Sequence, residues 1–577
     1  MKIKKNSLQT SKVLTWFRTG SIIIMKTQLS RLIHGALVAF FVIAAGTLKV
    51  SAELKEVSLP SKDEINFIAL VSGDKDLYGF YRKMNFEPIW IGREPIQQRR
   101  LKALKNAINL LDSHGLSLEV IDAVNLWDGT VDLNNPARVQ EAEVRFTNLF
   151  LSYAEIINTG WLNPKEVSKK IDLSKPNPLQ AESILTEFVS SDPEKFLASL
   201  APQTWEYAQL RKELKQLQTD VLNGGWGPQV KATRLSVGDQ GSEVIKLRNR
   251  LFRMGYLPKS ISSIYDLSLA HAVRIFQNVH GLSPTGTATT DTIQAINIEP
   301  EMRMQSVIVS LERSRWMNQP KDSNYVVVNI PEYKARYFEG AKVEFETPVV
   351  VGKSKENLQT PEFSKNMQFI VVNPIWHVPY SIVTEEIFPS LRNDLAAEQY
   401  ITFYDNAGIQ IDRSELDLTS QFKRASFPYK AKQLPGPTNP LGQVKFMFPN
   451  RHSIYLHDSP ARSLFGRDYR AYSHGCIRLK RPYEFARLLL NNEGYNFDEL
   501  VAATAGTDNE IAVYLKKEIP VHITYQTAWA GEDGRIHYRK DIYNRDDLIF
   551  AALNLEGDAT TQDTDLEVVS VQTSFIQ

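Results

Sequence analysis

One cysteine in 577 residues, Cys476, excludes any internal disulfide framework. Acidic residues are missing from the start of the chain: residues 1–52 carry eight Lys or Arg and no Asp or Glu. Beyond them 59 basic residues face 66 acidic ones, a net charge near −7, which leaves no global basic face for nucleic acid. No phosphate-cradling glycine loop is present, which argues against nucleotide use. The N-terminal apolar run, 35–45, falls short of the roughly 20 residues that span a bilayer. Lys26 and Arg31 precede that run and Val50-Ser51-Ala52 follows it. This is the charged, apolar, small-residue order of a secretory signal cleaved after Ala52, with Met25 as an alternative start. Export is therefore expected, with membrane contact only through the leader if it stays uncleaved.

The lone thiol lies in Ser473-His474-Gly475-Cys476-Ile477-Arg478, with His457 nineteen positions upstream. A buried, inert cysteine packed as a small hydrophobe is the ordinary alternative. A neighbouring glycine and two histidines within twenty residues instead suit a nucleophile. The thiolate attacks, an imidazole moves the proton, and small neighbours let backbone N–H groups reach the reacting carbonyl. His457, Asp458, His474 and Cys476 are also metal-ligand types, but they lack the short paired spacings of zinc motifs, so no metal is expected.

The chain reads as multidomain α+β. After the leader, 53–230 is mostly helical, with apolar residues recurring at three and four over 101–111 and 139–157. Its aromatic group, Tyr78, Phe80, Tyr81, Phe86 and Trp90, is expected to be core. From 235 to 297 the signals are Gly238 and Gly241 before an amphipathic helix, then Leu247, Leu251, Tyr256, Phe276, Gly281 and Gly286. This spacing resembles the three-helix peptidoglycan-binding module. Beyond 324 short β-branched runs bounded by Pro, Gly and Asn replace the helical pattern, with His457 at a strand end. A β-rich domain is expected over 305–546, and a frayed tail over 547–577. Between 381 and 435 the strand pattern lapses: Thr384–Leu391 suggests a helix and loop-like sequence follows, an insertion read as a lid or as a structural embellishment.

His457, fifteen intervening residues, then Ser473-His474-Gly475-Cys476 resembles the signature of the L,D-transpeptidases. The resemblance extends through Thr360-Pro361, Asn373-Pro374-Ile375-Trp376-His377-Val378-Pro379, Gly436-Pro437 and Asn439-Pro440-Leu441-Gly442. Helical scaffold, peptidoglycan-binding module and catalytic domain with an inserted segment match that family's large Gram-negative branch, which implies the periplasm as the destination. Arg478 stands where the family often has Asn.

The resemblance implies Cys476 as nucleophile and His457 as proton acceptor and donor, with no cofactor. Ser473, His474, Gly475 and Arg478 would orient the loop or stabilise the oxyanion, and the N–H groups of Gly475 and Cys476 are its candidate donors. Arg478 could instead pair with a substrate carboxylate, and Trp376 lines the cleft or packs in a core. The implied partners are peptidoglycan stem peptides, a tetrapeptide donor and a diaminopimelate acceptor. The implied reaction releases D-alanine, passes through a thioester and yields a 3→3 cross-link. Water or a lipoprotein lysine as acceptor, and a non-catalytic wall-binding scaffold, are the alternatives. Carbapenems are expected to acylate Cys476.

Overall fold

The computed structural model describes residues 61–117, 131–318 and 324–554. The expected leader and the end of the chain beyond 554 lie outside the described residues. No described helix is long and apolar enough to cross a membrane.

The helical region starts its main helices at prolines. Pro95–Ile108 and Pro136–Thr159 begin several residues before the apolar spacing shows them, because proline pre-sets the first helical turn without needing its missing N–H. Asn135 caps the second helix, its side chain accepting from the Arg138 N–H. Phe146, Phe150, Tyr153 and Ile157 form that helix's buried stripe. Phe80, Tyr81 and Trp90 of the aromatic group are fully buried. They surround Glu143, which accepts from the Tyr81 hydroxyl and the backbone N–H groups of Ile89, Trp90 and Ile91. Burial still pushes that carboxyl up to about 7.

Three helices, Ser242–Arg253, Leu267–Val279 and Thr290–Ile296, form the next module. Val244, Leu247, Leu251, Val273, Phe276 and Ile293 close its separate core.

Sixteen described strands follow along the chain. The first five are β1 (Ile171–Asp172), β2 (Asn324–Asn329), β3 (Lys334–Glu339), β4 (Lys342–Gly352) and β5 (Glu362–Val372). Then come β6 (Trp376–His377), β7 (Ile401–Tyr404), β8 (Gln410–Ile411), β9 (Lys430–Gln433), β10 (Val444–Met447) and β11 (Leu456–His457). Last are β12 (Ala471–Ser473), β13 (Ile477–Leu479), β14 (Ile511–Thr524), β15 (Ala528–Ala530) and β16 (Ile536–Tyr538). The main sheet runs β5-β10-β11-β13-β4-β3-β2-β14, and β14 pairs back onto β5. The circuit is closed and leaves few free edges. Its interior is filled by residues such as Val328, Val351, Ile370, Phe446, Leu456 and Ile477.

The packing departs from the sequence reading in three places. The helix Pro300–Trp316, the β15–β16 hairpin and the helix Arg545–Asn554 bury Val307, Leu311, Ala528, Ile536, Ile549 and Leu553 in the helical region's core. The expected boundaries at 305 and 547 therefore cut through packed structure, because apolar spacing shows that a helix has a buried face but not what covers it. Secondly, β1 belongs to the helical region in sequence yet pairs parallel with β5, Ile171 beside Glu362 and Asp172 beside Phe363. Thirdly, 381–435 is not loop-like after its helix. β6, β9, β7 and β8 form a four-stranded sheet with its own core of Val383, Phe388, Leu391 and Phe403. Strands of two to four residues are too short to print a period of two in the sequence.

Residues from Lys62 onward pack as one unit. A buried charge cluster joins its helical and β parts. Glu362, at the start of β5, takes Arg313 from the Pro300–Trp316 helix on one oxygen and Arg545 on the other, the latter at 3.0 Å. Both guanidinium groups also lie over the Tyr525 ring, at 5.2 Å and 4.9 Å. Arg545 donates onward to the Thr360 carbonyl at 2.7 Å. Removing one partner of a buried pair strands the other charges, so Glu362→Gln is expected to cost roughly 3–5 kcal/mol. Urea unfolding followed by circular dichroism measures this, and wild-type stability in the variant would contradict the assignment.

Candidate active site

β11 and β13 lie side by side and parallel, Leu456 opposite Ile477 and His457 opposite Arg478. Alternation along a strand sends Leu456, Ile477 and Leu479 into the core. It leaves Cys476, Arg478 and His457 on the other face. Two short strands thus bring together residues nineteen and twenty-one positions apart in the sequence.

The loop before Cys476 is pinned by its own hydroxyl. The Ser473 Oγ–H donates to the Cys476 carbonyl at 2.5 Å, and the same oxygen accepts from the Gly475 N–H at 3.1 Å. Ser473 therefore shapes the turn, and the Gly475 N–H is already spent. The Cys476 N–H donates to no acceptor among the described residues, so of the two N–H groups only it is uncommitted. Gly475 sits at φ +116°, and a Cβ there would stand 3.0 Å from Ile454 Cδ1. Its carbonyl accepts from Thr360 Oγ1 at 2.6 Å, and Thr360 Oγ1 accepts from the Gly352 N–H. The nucleophile loop is thereby tied to the ends of β4 and β5.

Cys476 is half-buried, and its Sγ–H donates to the Ser453 carbonyl at 3.6 Å. Desolvation pushes the thiol up to about 11, against opposing contributions from Tyr455 hydrogen bonds and the Arg478 charge. His457 is almost fully buried, and burial, reinforced by Arg478, pushes it down to about 3. Its Nδ1 faces the Asp458 carbonyl, which can only accept, so Nδ1 carries a proton, and the Pro440 carbonyl also faces the ring. Burial thus holds both the thiol and the imidazole in their neutral forms.

Asp458 holds the floor under His457. Its carboxylate accepts from the N–H groups of Gln443 and Ser459, the Tyr483 hydroxyl and Arg462. Gly442, at φ +60°, permits this, since a Cβ there would lie 2.1 Å from Asp458 Oδ2. Sequence reading placed Asp458 only among rejected metal ligands. Its adjacency to His457 was the available signal. Tyr455 and Ser453, both in contact with the thiol, carried no sequence signal of their own. Among the described residues no group of three His, Cys, Asp or Glu is arranged to hold a metal ion.

The remaining candidates separate. Arg478 is half-buried, its guanidinium meets no protein acceptor among the described residues, and its Nε is enclosed without a partner. His474 turns to the inserted segment and pairs with Glu386. Both side chains are partly exposed, so the pair costs little to open. Trp376 lies in β6 and packs on the inserted segment's core.

A cysteine and a strand-end histidine on neighbouring strands of a closed sheet suit acyl transfer of the thiol type. Comparison with known families agrees. Residues 323–511 match the L,D-transpeptidase catalytic domain, 75–214 the Scaffold domain, and 240–296 a family described as "Putative peptidoglycan binding domain". The chain carries an L,D-transpeptidase catalytic domain together with these two further domains. A curated relative from Haemophilus influenzae, described as "Putative L,D-transpeptidase", is 32% identical over 244 residues, covering 42% of this chain and 48% of the relative. The match thus spans about half the relative's length. Solved L,D-transpeptidase structures from Xylanimonas cellulosilytica and Stackebrandtia nassauensis align with 52% of this chain and with 98% and 97% of theirs. Their identities of 14% and 13% and TM-scores of 0.16 and 0.21 are too low to carry an argument.

A raised thiol leaves little thiolate at neutral pH, and the thiolate grows as pH climbs toward the thiol's value. Alkylation of Cys476 by iodoacetamide is therefore expected to accelerate about tenfold per pH unit between roughly pH 6 and pH 9. A rate that stays flat across that window would reveal a preformed thiolate–imidazolium pair and contradict the neutral resting site.

Proposed function

We propose that the protein is an exported, periplasmic peptidoglycan L,D-transpeptidase that forms 3→3 cross-links. The observation that carries this reading is the shared face of Cys476, His457 and Arg478 across β11 and β13. Sulfur attacks the carbonyl between the third residue of a stem peptide and its terminal D-alanine, while the thiol proton passes to His457 Nε2. The Cys476 N–H meets the developing oxyanion. The C–N bond breaks, His457 returns the proton to the leaving amine, and D-alanine departs from a thioester. The side-chain amine of a diaminopimelate residue on a second stem then attacks the thioester, and the new amide restores the thiol. No ATP is required, since one amide replaces another.

Arg478 fits a substrate carboxylate. Its guanidinium lacks a protein acceptor among the described residues and stands beside the sulfur, so a carboxylate of the stem would supply the missing charge-assisted hydrogen bonds.

Disaccharide-tetrapeptides incubated with the mature protein should give cross-linked dimers and free D-alanine by mass spectrometry, and Cys476→Ala should give neither. Tripeptides without dimers would instead make water the acceptor. Indistinguishable wild type and Cys476→Ala would end the enzyme reading. Arg478→Gln is expected to raise KM by roughly tenfold or more, through loss of a charge-assisted contact. An unchanged KM would remove the carboxylate role. Intact-mass measurement should also show a carbapenem adduct on wild type and none on Cys476→Ala.

A further inference from the structure

The nucleophile's thiol rests on a loop that is gripped from the Scaffold domain. β1 is a two-residue strand outside the catalytic domain in sequence, and it adds to β5 at Glu362 and Phe363. β14 occupies the other edge of β5 at Phe363, so β1 and β10 share one side of that strand. The loop leaving β10 passes directly over the end of β1. There Asp172 Oδ2 accepts from His452 Nε2–H at 2.9 Å and forms an ion pair with Arg451, whose Nε lies 2.9 Å away, while Lys165 Nζ stands 3.7 Å from Oδ1. The His452 ring also lies 5.1 Å from the Phe363 ring.

The next residue, Ser453, is the acceptor of the Cys476 Sγ–H. Ser453 is held at φ +56°, an uncommon backbone for a residue with a Cβ, and its carbonyl direction depends on that twist. Asn450 fixes the turn internally. Its Oδ1 accepts from the N–H groups of His452 and Ile454, and its Nδ2 donates to the carbonyls of Phe448 and Ile454. Those bonds set the shape of the turn but not its position relative to Cys476. Among the described residues, Arg451 and His452 both reach the Scaffold side of β5 through Asp172.

We propose that Asp172 is a positioning residue for the nucleophile: by holding His452 it fixes the Ser453 carbonyl that orients and retains the Cys476 thiol proton. The Scaffold domain thereby sets how readily the thiol ionises, in addition to bracing the catalytic sheet. A carbonyl that accepts from the neutral thiol favours the protonated form, so releasing it favours the thiolate. The other groups acting on the sulfur are Tyr455 and Arg478, and neither is a recorded partner of Asp172. This inference rests on Cys476 being the reactive thiol, and thiol alkylation tests it whether or not cross-linking is observed.

The experiment is the pH dependence of Cys476 alkylation by iodoacetamide, measured on the full chain. Asp172→Asn and His452→Ala are each expected to shift the profile toward lower pH. The double variant should shift it no further than Asp172→Asn alone, because that variant already removes the partner of both His452 and Arg451. Lys165→Ala, which removes an Asp172 neighbour that does not lead to Ser453, should leave the profile unmoved. His452→Ala leaves β1 untouched, so it decides the matter if Asp172→Asn fails to fold. Profiles that superimpose on wild type, or single shifts that add in the double variant, would overturn the proposal. A purely structural role would lower the unfolding midpoint and leave the alkylation profile in place.

Discussion

Glu362 is buried at the first residue of β5 and receives guanidinium groups from two directions, Arg313 of a helix in the helical core and Arg545 of the last described helix. The arrangement makes geometric demands in a way apolar contact does not, because each buried charge must find its partner. It fixes where β5 begins. From that residue onward β5 carries the sheet's longest pairing, with β14, and its neighbour Thr360 ties down Gly475. The nucleophile loop is thus referenced to the same short stretch of chain that the helical core holds.

Within that frame the site is built to keep a thiol neutral until substrate arrives. Burial raises the thiol and lowers the imidazole, so neither is charged at rest. The carbonyls of Asp458 and Pro440 both face the imidazole, and Asp458 commits its Nδ1. The carboxylate of the same residue organises the surrounding loop. Beside them Arg478 meets no protein acceptor among the described residues, and its Nε is enclosed without a partner.

Much of this was legible from the sequence, for reasons specific to each residue. The Ser473–Arg478 motif and the upstream His457 could be read because nucleophile chemistry needs particular residue types at a strand end. The three-helix module could be read because its glycines and apolar positions recur at fixed spacing. The inserted sheet could not, since its strands are too short to show alternation. The assignment of Pro300–Trp316 and β15–β16 to the helical core escaped because an apolar face does not name its partner. Asp172 was invisible for a related reason: two residues in a helical context carry no sign that they will join a distant strand. The Gly475 N–H, a candidate oxyanion donor, proved to be occupied by Ser473, a contact that only three-dimensional placement reveals.

The central claim is that Cys476 carries the acyl group between two amides. Rapid mixing with a disaccharide-tetrapeptide, acid quenching and peptide mapping by mass spectrometry tests it directly. The account predicts an adduct on the peptide containing Cys476 whose mass is that of the donor less its terminal alanine. An adduct on another residue, or one that retains the alanine, would contradict it.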